Sequence, residues 1–252
     1  MATIKTKVFA HRGSKGTHPE NTLPAFEEAV DCLAEGIELD VHLSRDGQLI
    51  VMHDEKVDRT TDGQGRIADL TLAQLKELDG GSWFSEKFAG TKIPTLPEVT
   101  SFLQEKAYRG TLNIEIKTDV IQYEGIEQKV NDWMESRQWS FTYLYSSFHF
   151  PSLEKLALIA PDTQRAFIMF AEEELIQLGV YSPIISGLHP KYTWIEKQSP
   201  NVSDFPKDLR PWTVNKKEQM IDCFNKKLTA IHTDYPQKAL EVRKEWQNKY
   251  GG

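Results

Sequence analysis

Apolar and polar residues alternate strictly through "GIELDVHL", residues 36–43. Ile37, Leu39, Val41 and Leu43 fall on one face of a strand, Glu38, Asp40 and His42 on the other. An Asp46-Gly47 pair follows, ahead of a second strand-like run at 48–53, and Asp-Gly between two such runs predicts a hairpin. A two-residue turn would pair Arg45 with Gln48, Ser44 with Leu49 and Asp40 with His53, converging two carboxylates and an imidazole on one face. The alternative, a loop between two parallel strands, needs a connection of about a dozen residues.

Further strand-like runs lie at 8–12, 112–117, 142–147, 165–170, 184–188, 211–214 and 230–234. Helical spacing is found at 22–33, 96–106, 123–138, 151–159, 216–227 and 237–249. The alternation predicts a parallel sheet with helices outside it. Nine strand candidates exceed the eight positions of an α/β barrel, so one is misplaced or lies outside. In the first helix Asn21 or Thr22 is the cap, and Leu23, Phe26, Val30 and Leu33 form the apolar face. Residues 55–95 break the rhythm with Gly63, Gly65, Gly80, Gly81 and Gly90 and the short helical piece "TLAQLKEL". That length reads as an inserted subdomain or lid.

Length and composition narrow the class. A chain of 252 residues suits one α/β barrel, which typically takes about 200 to 250. No stretch approaches the roughly 20 apolar residues of a membrane span, so no stable membrane insertion is expected. The N-terminal apolar segment is too short for a signal-peptide core, so a cytoplasmic location is expected. A net charge of −7 argues against nucleic-acid binding, and it requires an anionic substrate to be drawn in locally. Cys32 and Cys223 lack metal-ligand spacing and read as buried reduced thiols.

In such barrels chemistry gathers at the carboxyl ends of the strands. There the sequence offers His11 and Arg12, Asp40 and His53, Glu115 and Lys117 in "NIEIK", and His232 and Asp234 in "IHTD". Glu38, Asp40 and Glu115 form an oxygen-rich set suited to a hard divalent cation, Mg²⁺ or Ca²⁺. The competing reading pairs these carboxylates with Arg12 and Lys117 and needs no metal. His11 and His53 are either an acid–base pair or structural histidines. Arg12 offers a planar fork for phosphate oxygens, and Gly13 lets the backbone approach closely. "DRTTDGQG" at 58–65 lacks the ligand alternation of a calcium loop and reads as a tight turn. His18, His149 and His189 take surface or capping roles by default. Trp212 is either core or a flat wall for a substrate.

Taken in order, "HRG" with "PENT", "ELDV", "MHD", "EIK", "WTVN" and "TDYP" resemble the glycerophosphodiester phosphodiesterase family, from about Val8 to Pro236. The resemblance implies a (β/α)8 TIM-type barrel with a small insertion after the third strand. It further implies metal-dependent hydrolysis of small phosphodiesters such as glycerophosphocholine or glycerophosphoethanolamine to sn-glycerol 3-phosphate and an alcohol. By the same resemblance Glu38, Asp40 and Glu115 would be metal ligands, His11 and His53 the catalytic pair, and Arg12 and Lys117 phosphate ligands. Trp212 would lie near the substrate and Glu20 would support the site; residues 170–210 follow the family less closely, which makes them candidates for shaping specificity. Two alternatives stand beside it. One is lysophospholipase D activity on a lipid substrate, suggested by Trp83, Phe84 and Phe88 in the insertion; the other is a non-catalytic phosphodiester-binding protein.

Overall fold

The computed structural model describes residues 6–198, 202 and 205–250. Among the described residues nine strands form one sheet: β1 (Lys7–Ala10), β2 (Gly36–Leu43), β3 (Leu49–Val51), β4 (Thr111–Ile116), β5 (Thr142–Ser147), β6 (Arg165–Met169), β7 (Gly187–Pro190), β8 (Asp208–Leu209) and β9 (Ala230–Thr233). Pairing runs β8-β7-β6-β5-β4-β2-β1-β9, with β3 lying off this path on β2. Every pairing is parallel except β2 with β3. The two ends of the sheet meet where His232 N donates to Pro211 O at 2.9 Å and Val214 N to His232 O at 2.8 Å. The result is a nearly closed eight-stranded TIM-type barrel, and β3 is the supernumerary ninth strand.

Helices follow most strands: α1 (Leu23–Asp31), α2 (Leu72–Glu77), α3 (Leu96–Glu105), α4 (Ile126–Glu135), α5 (Phe150–Ile159), α6 (Glu173–Tyr181), α7 (Tyr192–Ile195), α8 (Lys217–Asn225) and α9 (Pro236–Tyr250). The alternating faces of the strands divide the labour. Ile37, Leu39 and Val41 of β2 and Leu112, Ile114 and Ile116 of β4 point outward and pack with Phe26 and Ala29 of α1 and Val99 and Leu103 of α3. The opposite residues, Glu38, Asp40, Asn113 and Glu115, therefore face the interior, where they are buried. Phe26 is fully buried in the outer layer; Phe26→Ala is expected to lower unfolding free energy by about 3–5 kcal/mol. Denaturant titration would check this, and a loss below about 1 kcal/mol would contradict the packing described.

The hairpin forms, but with a register one residue away from the expected one. Observed pairs are Val41 with Val51, His42 with Ile50 and Leu43 with Leu49. Ser44 N donates to Gln48 O at 3.0 Å, Gln48 N donates to the Ser44 hydroxyl at 2.8 Å, and Gly47 sits at φ 71°. The loop thus holds three residues, Arg45, Asp46 and Gly47, with glycine in the left-handed position that such loops require. Asp40 consequently faces Met52, whose N–H it accepts at 3.1 Å, and not His53.

Other departures have local causes. Residues 184–188 and 211–214 were expected as strands; the strands are Gly187–Pro190 and Asp208–Leu209. Ile184 and Ile185 pack in the core from a loop, and Pro211 has no N–H for a ladder. Leu33 does not join the apolar face of α1: it lies beyond the helix end at φ 65° and is 78% exposed. Leu33 N bonds Val30 O and Ala34 N bonds Ala29 O, a Schellman-type stop. Helices α6 and α7 have no counterpart in the periodicity reading; residues 199–201, 203 and 204, between α7 and β8, lie outside the described residues. Between β3 and α3 the insertion has its own small core of Ile50, Met52, Val57, Ile67, Leu75 and Ile93. Of the two thiols, Cys223 is buried and Cys32 half-buried.

Candidate active site

A cavity of about 380 Å³ opens among the loops at the carboxyl ends of the strands. His11, Arg12, Glu38, His53, Glu115, Lys117 and Trp212 all line it, so the structure gathers widely separated sequence positions at one place. At its base Glu38, Asp40 and Glu115 are buried, with one carboxylate oxygen of each within 4.8 Å of the others. They sit together because β2 and β4 pair in parallel with Glu38 opposite Asn113 and Asp40 opposite Glu115.

Both readings of these carboxylates hold in part. Lys117 Nζ donates to Glu115 Oε1 at 3.1 Å, and Arg12 Nε lies 3.5 Å from Asp40 Oδ2. Arg12 N–H donates to Glu38 Oε2 at 2.7 Å, and Asn21 Nδ2 to Asp40 Oδ2 at 2.8 Å. Asp40 Oδ1 nonetheless has no hydrogen-bond partner among the described residues although it is buried. A buried carboxylate oxygen without a partner is costly, and a cation held by all three residues would satisfy it. The residues present therefore fit a hard divalent ion. The electrostatics agree: burial, then the charges of Asp40 and Glu115, push the Glu38 carboxyl well above its ordinary range. Burial also raises Glu115, although Lys117 opposes it. Against its own burial, Asp40 is held low by His53, Arg12 and Lys117.

Each of the two histidines is braced by an aspartate. His11 Nδ1 lies 2.7 Å from Asp234 Oδ1, and His53 Nδ1 lies 2.6 Å from Asp54 Oδ1. A carboxylate on Nδ1 fixes the tautomer and turns Nε2 to the cavity. Burial and the neighbouring Arg12 push His11 down to about 4 despite Asp234, so its ring is neutral at neutral pH. Asp234 is anchored in turn by Asn215 Nδ2 at 2.7 Å. His53, displaced from the expected register, still reaches the cavity from the bend after β3. Its carbonyl accepts from His42 Nε2 at 3.0 Å, and His42 Nδ1 accepts from Tyr123 OH at 3.0 Å.

Arg12 adopts φ 53°, a left-handed conformation that costs a non-glycine residue about 1–3 kcal/mol. It is held there by Glu38 through its N–H, by Glu20 through Nη1 at 2.8 Å, and by Asn21 N donating to its carbonyl. Glu20 thus supports Arg12. Gly13 has a packing reason of its own: at φ 77° a Cβ there would lie 2.7 Å from the Ala25 carbonyl, so the backbone approaches α1 closely. Trp212 is a wall residue. Its ring packs edge-on against Phe148 and Phe170, with centroids 5.6 and 5.5 Å away.

His189, read from sequence as surface or capping, is buried on β7 and lines the cavity floor beside His232, their ring centroids 4.7 Å apart. Its inward direction follows from strand alternation, which the misplaced boundary of β7 obscured. Burial lowers both imidazoles, His232 to about 3. An unfolded histidine titrates near 6.5, so below that pH the unfolded chain binds protons that the fold excludes. The contribution of these two histidines to stability must then fall as pH falls from about 6.5 toward 3, by about 1.4 kcal/mol per pH unit for each group. Urea midpoints measured between pH 7.5 and 4.5 should show this slope, reduced in His232→Asn; equal slopes would contradict it.

Asn21, Asp54, Arg59 and Asn215 were not singled out from sequence as site residues. Asn21 carried a capping signal and stands in "PENT", Asp54 stands in "MHD" and Asn215 in "WTVN" without an assigned role, and Arg59 sits in the "DRTTDGQG" turn. That turn is tight, as expected, with Gly65 N donating to Asp58 Oδ2 at 2.9 Å. The aromatic residues of the insertion pack on one another and on His18 and are not among the cavity's lining. No described helix is long and apolar enough to cross a membrane.

Comparison with known proteins gives one consistent result. The model of the glycerophosphoryl diester phosphodiesterase family matches residues 11–238. A glycerophosphodiester phosphodiesterase from Caldanaerobacter subterraneus subsp. tengcongensis is 39% identical over 249 residues, spanning 95% of this chain and 98% of the relative. One from Bacillus altitudinis is 38% identical over 245 residues, spanning 95% and 99%. Among solved structures, an Oleispira antarctica phosphodiesterase in complex with the product sn-glycerol-3-phosphate aligns with TM-score 0.80 at 31% identity, covering 94% of this chain and 96% of that one.

Proposed function

The chain belongs to the glycerophosphoryl diester phosphodiesterase family and is a phosphoric diester hydrolase, and we propose that it cleaves glycerophosphocholine, glycerophosphoethanolamine and similar diesters to sn-glycerol 3-phosphate and an alcohol. The observation that carries this reading is the buried Glu38, Asp40 and Glu115 trio, with its unpartnered Asp40 oxygen, beside two aspartate-braced histidines. The product bound to the Oleispira relative supports the glycerol 3-phosphate end.

Glu38, Asp40 and Glu115 would hold Mg²⁺ or Ca²⁺, which when bound supplies positive charge to the phosphoryl oxygens. Arg12 and Lys117 bind the remaining non-bridging oxygens, Arg12 through its fork and Lys117 as a point charge. His11, neutral because it is buried beside Arg12, accepts a proton from the attacking hydroxyl, that of water or of the substrate's own glycerol, the latter giving a cyclic phosphate that water then opens. His53, acting in its doubly protonated form with Nδ1–H held by Asp54, gives its Nε2 proton to the departing alcohol oxygen. Trp212, with Phe148 and Phe170, offers a flat apolar wall to the substrate's carbon skeleton.

The lipid reading loses its motivation, because Trp83, Phe84 and Phe88 are not among the residues that line the cavity. A purely binding protein would have no need of braced histidines. The test is release of sn-glycerol 3-phosphate from a panel of head groups with Mg²⁺, Ca²⁺ or chelator. Metal-dependent release is expected, and no release from any head group would sink the proposal.

A further inference from the structure

Arg59 lies in the turn that follows β3 and belongs to the insertion, not to the barrel wall. Its guanidinium grips two carboxylates at once. Nε donates to Asp54 Oδ2 at 2.7 Å and Nη2 to Asp54 Oδ1 at 2.9 Å; Nη1 donates to Glu20 Oε2 at 3.0 Å and Nη2 to Glu20 Oε1 at 2.8 Å. Each of those carboxylates holds a residue of the site. Asp54 Oδ1 takes the His53 Nδ1 contact at 2.6 Å, and Glu20 Oε1 accepts from Arg12 Nη1 at 2.8 Å. A continuous chain of charge-assisted bonds thus runs from Arg12 through Glu20, Arg59 and Asp54 to His53.

The chain solves two problems of placement. His53 sits in a bend beyond the last paired residue of β3, so no ladder fixes its ring. Arg12 has a left-handed backbone and, among the described residues, a Nε without a hydrogen-bond partner, so its fork direction depends on Glu20. Without Arg59, Glu20 and Asp54 would each keep a partner but lose their fixed spacing. Two bidentate pairs on one rigid planar group hold that spacing as a lysine could not. The Arg59 side chain is 44% exposed, whereas Glu20 is 3% exposed, so the solvent-facing guanidinium closes the network from outside.

We propose that Arg59 is a positioning residue that sets the phosphate-binding fork of Arg12 and the ring of His53 relative to one another, and that this is what the insertion contributes to the chemistry. The inference rests on the roles given above to Arg12 and His53. It assigns the turn a function that its tight geometry alone does not require.

The experiment measures kcat and KM for glycerophosphocholine in the metal-loaded parent, Arg59→Ala, Arg59→Lys and His53→Ala, with circular dichroism and metal affinity alongside. Arg59→Ala should lose about 10- to 100-fold in kcat/KM, the scale of lost supporting contacts, with metal affinity retained. KM should rise and kcat fall together, because one end of the network serves binding and the other proton transfer. Arg59→Lys should recover only a small part. Added methylguanidinium should restore Arg59→Ala in a saturable way and leave His53→Ala unaffected, a response that lost stability would not give. Arg59→Ala activity within about threefold of the parent, or a loss that methylguanidinium does not restore, overturns the proposal. If His53→Ala itself remains active, the functional reading fails first, and the two failures are told apart.

Discussion

Alanine at His53 is expected to lower kcat by about 10²- to 10⁴-fold, the contribution of a positioned general acid or base. The fold should survive, because the side chain is 31% exposed and its polar contact is with Asp54 at the surface of the cavity. Asp54→Asn should give a smaller loss: the ring remains, but an amide no longer enforces the tautomer that presents Nε2. His11→Ala belongs with His53→Ala, and the double variant should be little worse than either single one, since proton delivery and removal act as a unit. Steady-state kinetics on one substrate would check the series. A His53→Ala variant within about tenfold of the parent would remove this residue from the chemistry.

The second large effect is at the carboxylate trio, where activity and stability should move in opposite directions. Glu38→Gln should reduce metal-dependent turnover by about a thousandfold or more, since a Lewis-acid centre supplies several kcal/mol to the transition state. In metal-free protein the same substitution should raise the thermal midpoint. Burial beside Asp40 and Glu115 raises the Glu38 carboxyl above its unfolded value. Its favourable linkage is therefore present below the unfolded pKa and lost as pH rises through the folded one. At neutral pH the metal-free fold carries three crowded carboxyls; a neutral amide relieves that repulsion. With Mg²⁺ or Ca²⁺ the parent midpoint should rise and that of Glu38→Gln should not. Scanning calorimetry with and without metal decides this, and a parent whose midpoint ignores both ions would contradict the site.

The sequence made the outer layer and the carboxylate set legible for the same reason. Strict alternation in β2 and β4 assigns Ile37, Leu39, Ile114 and Ile116 to one side, and Glu38, Asp40 and Glu115 must then share the other. Legibility ended where tertiary bonds override local pattern. The side chain of Ser44 capturing Gln48 N added a residue to the hairpin loop and moved the register, which no dipeptide rule foresees. His53 reached the cavity regardless, because its position is set by Asp54 and by His42 beneath its carbonyl. His189 was misread because a short strand flanked by Ile184 and Ile185 shows no clear period. Arg59, Asn21 and Asn215 act through partners 39, 19 and 19 residues away, and such long-range pairing leaves no local mark.

The most direct test strips the protein with chelator and follows sn-glycerol 3-phosphate release from glycerophosphocholine as Mg²⁺ or Ca²⁺ is returned, in the parent and in Glu115→Ala. The predicted result is an inactive stripped parent whose activity returns at one ion per chain, with Glu115→Ala remaining inactive at the same metal concentration. Full turnover by the stripped parent, or equal recovery in Glu115→Ala, would contradict a metal-centred site built on Glu38, Asp40 and Glu115.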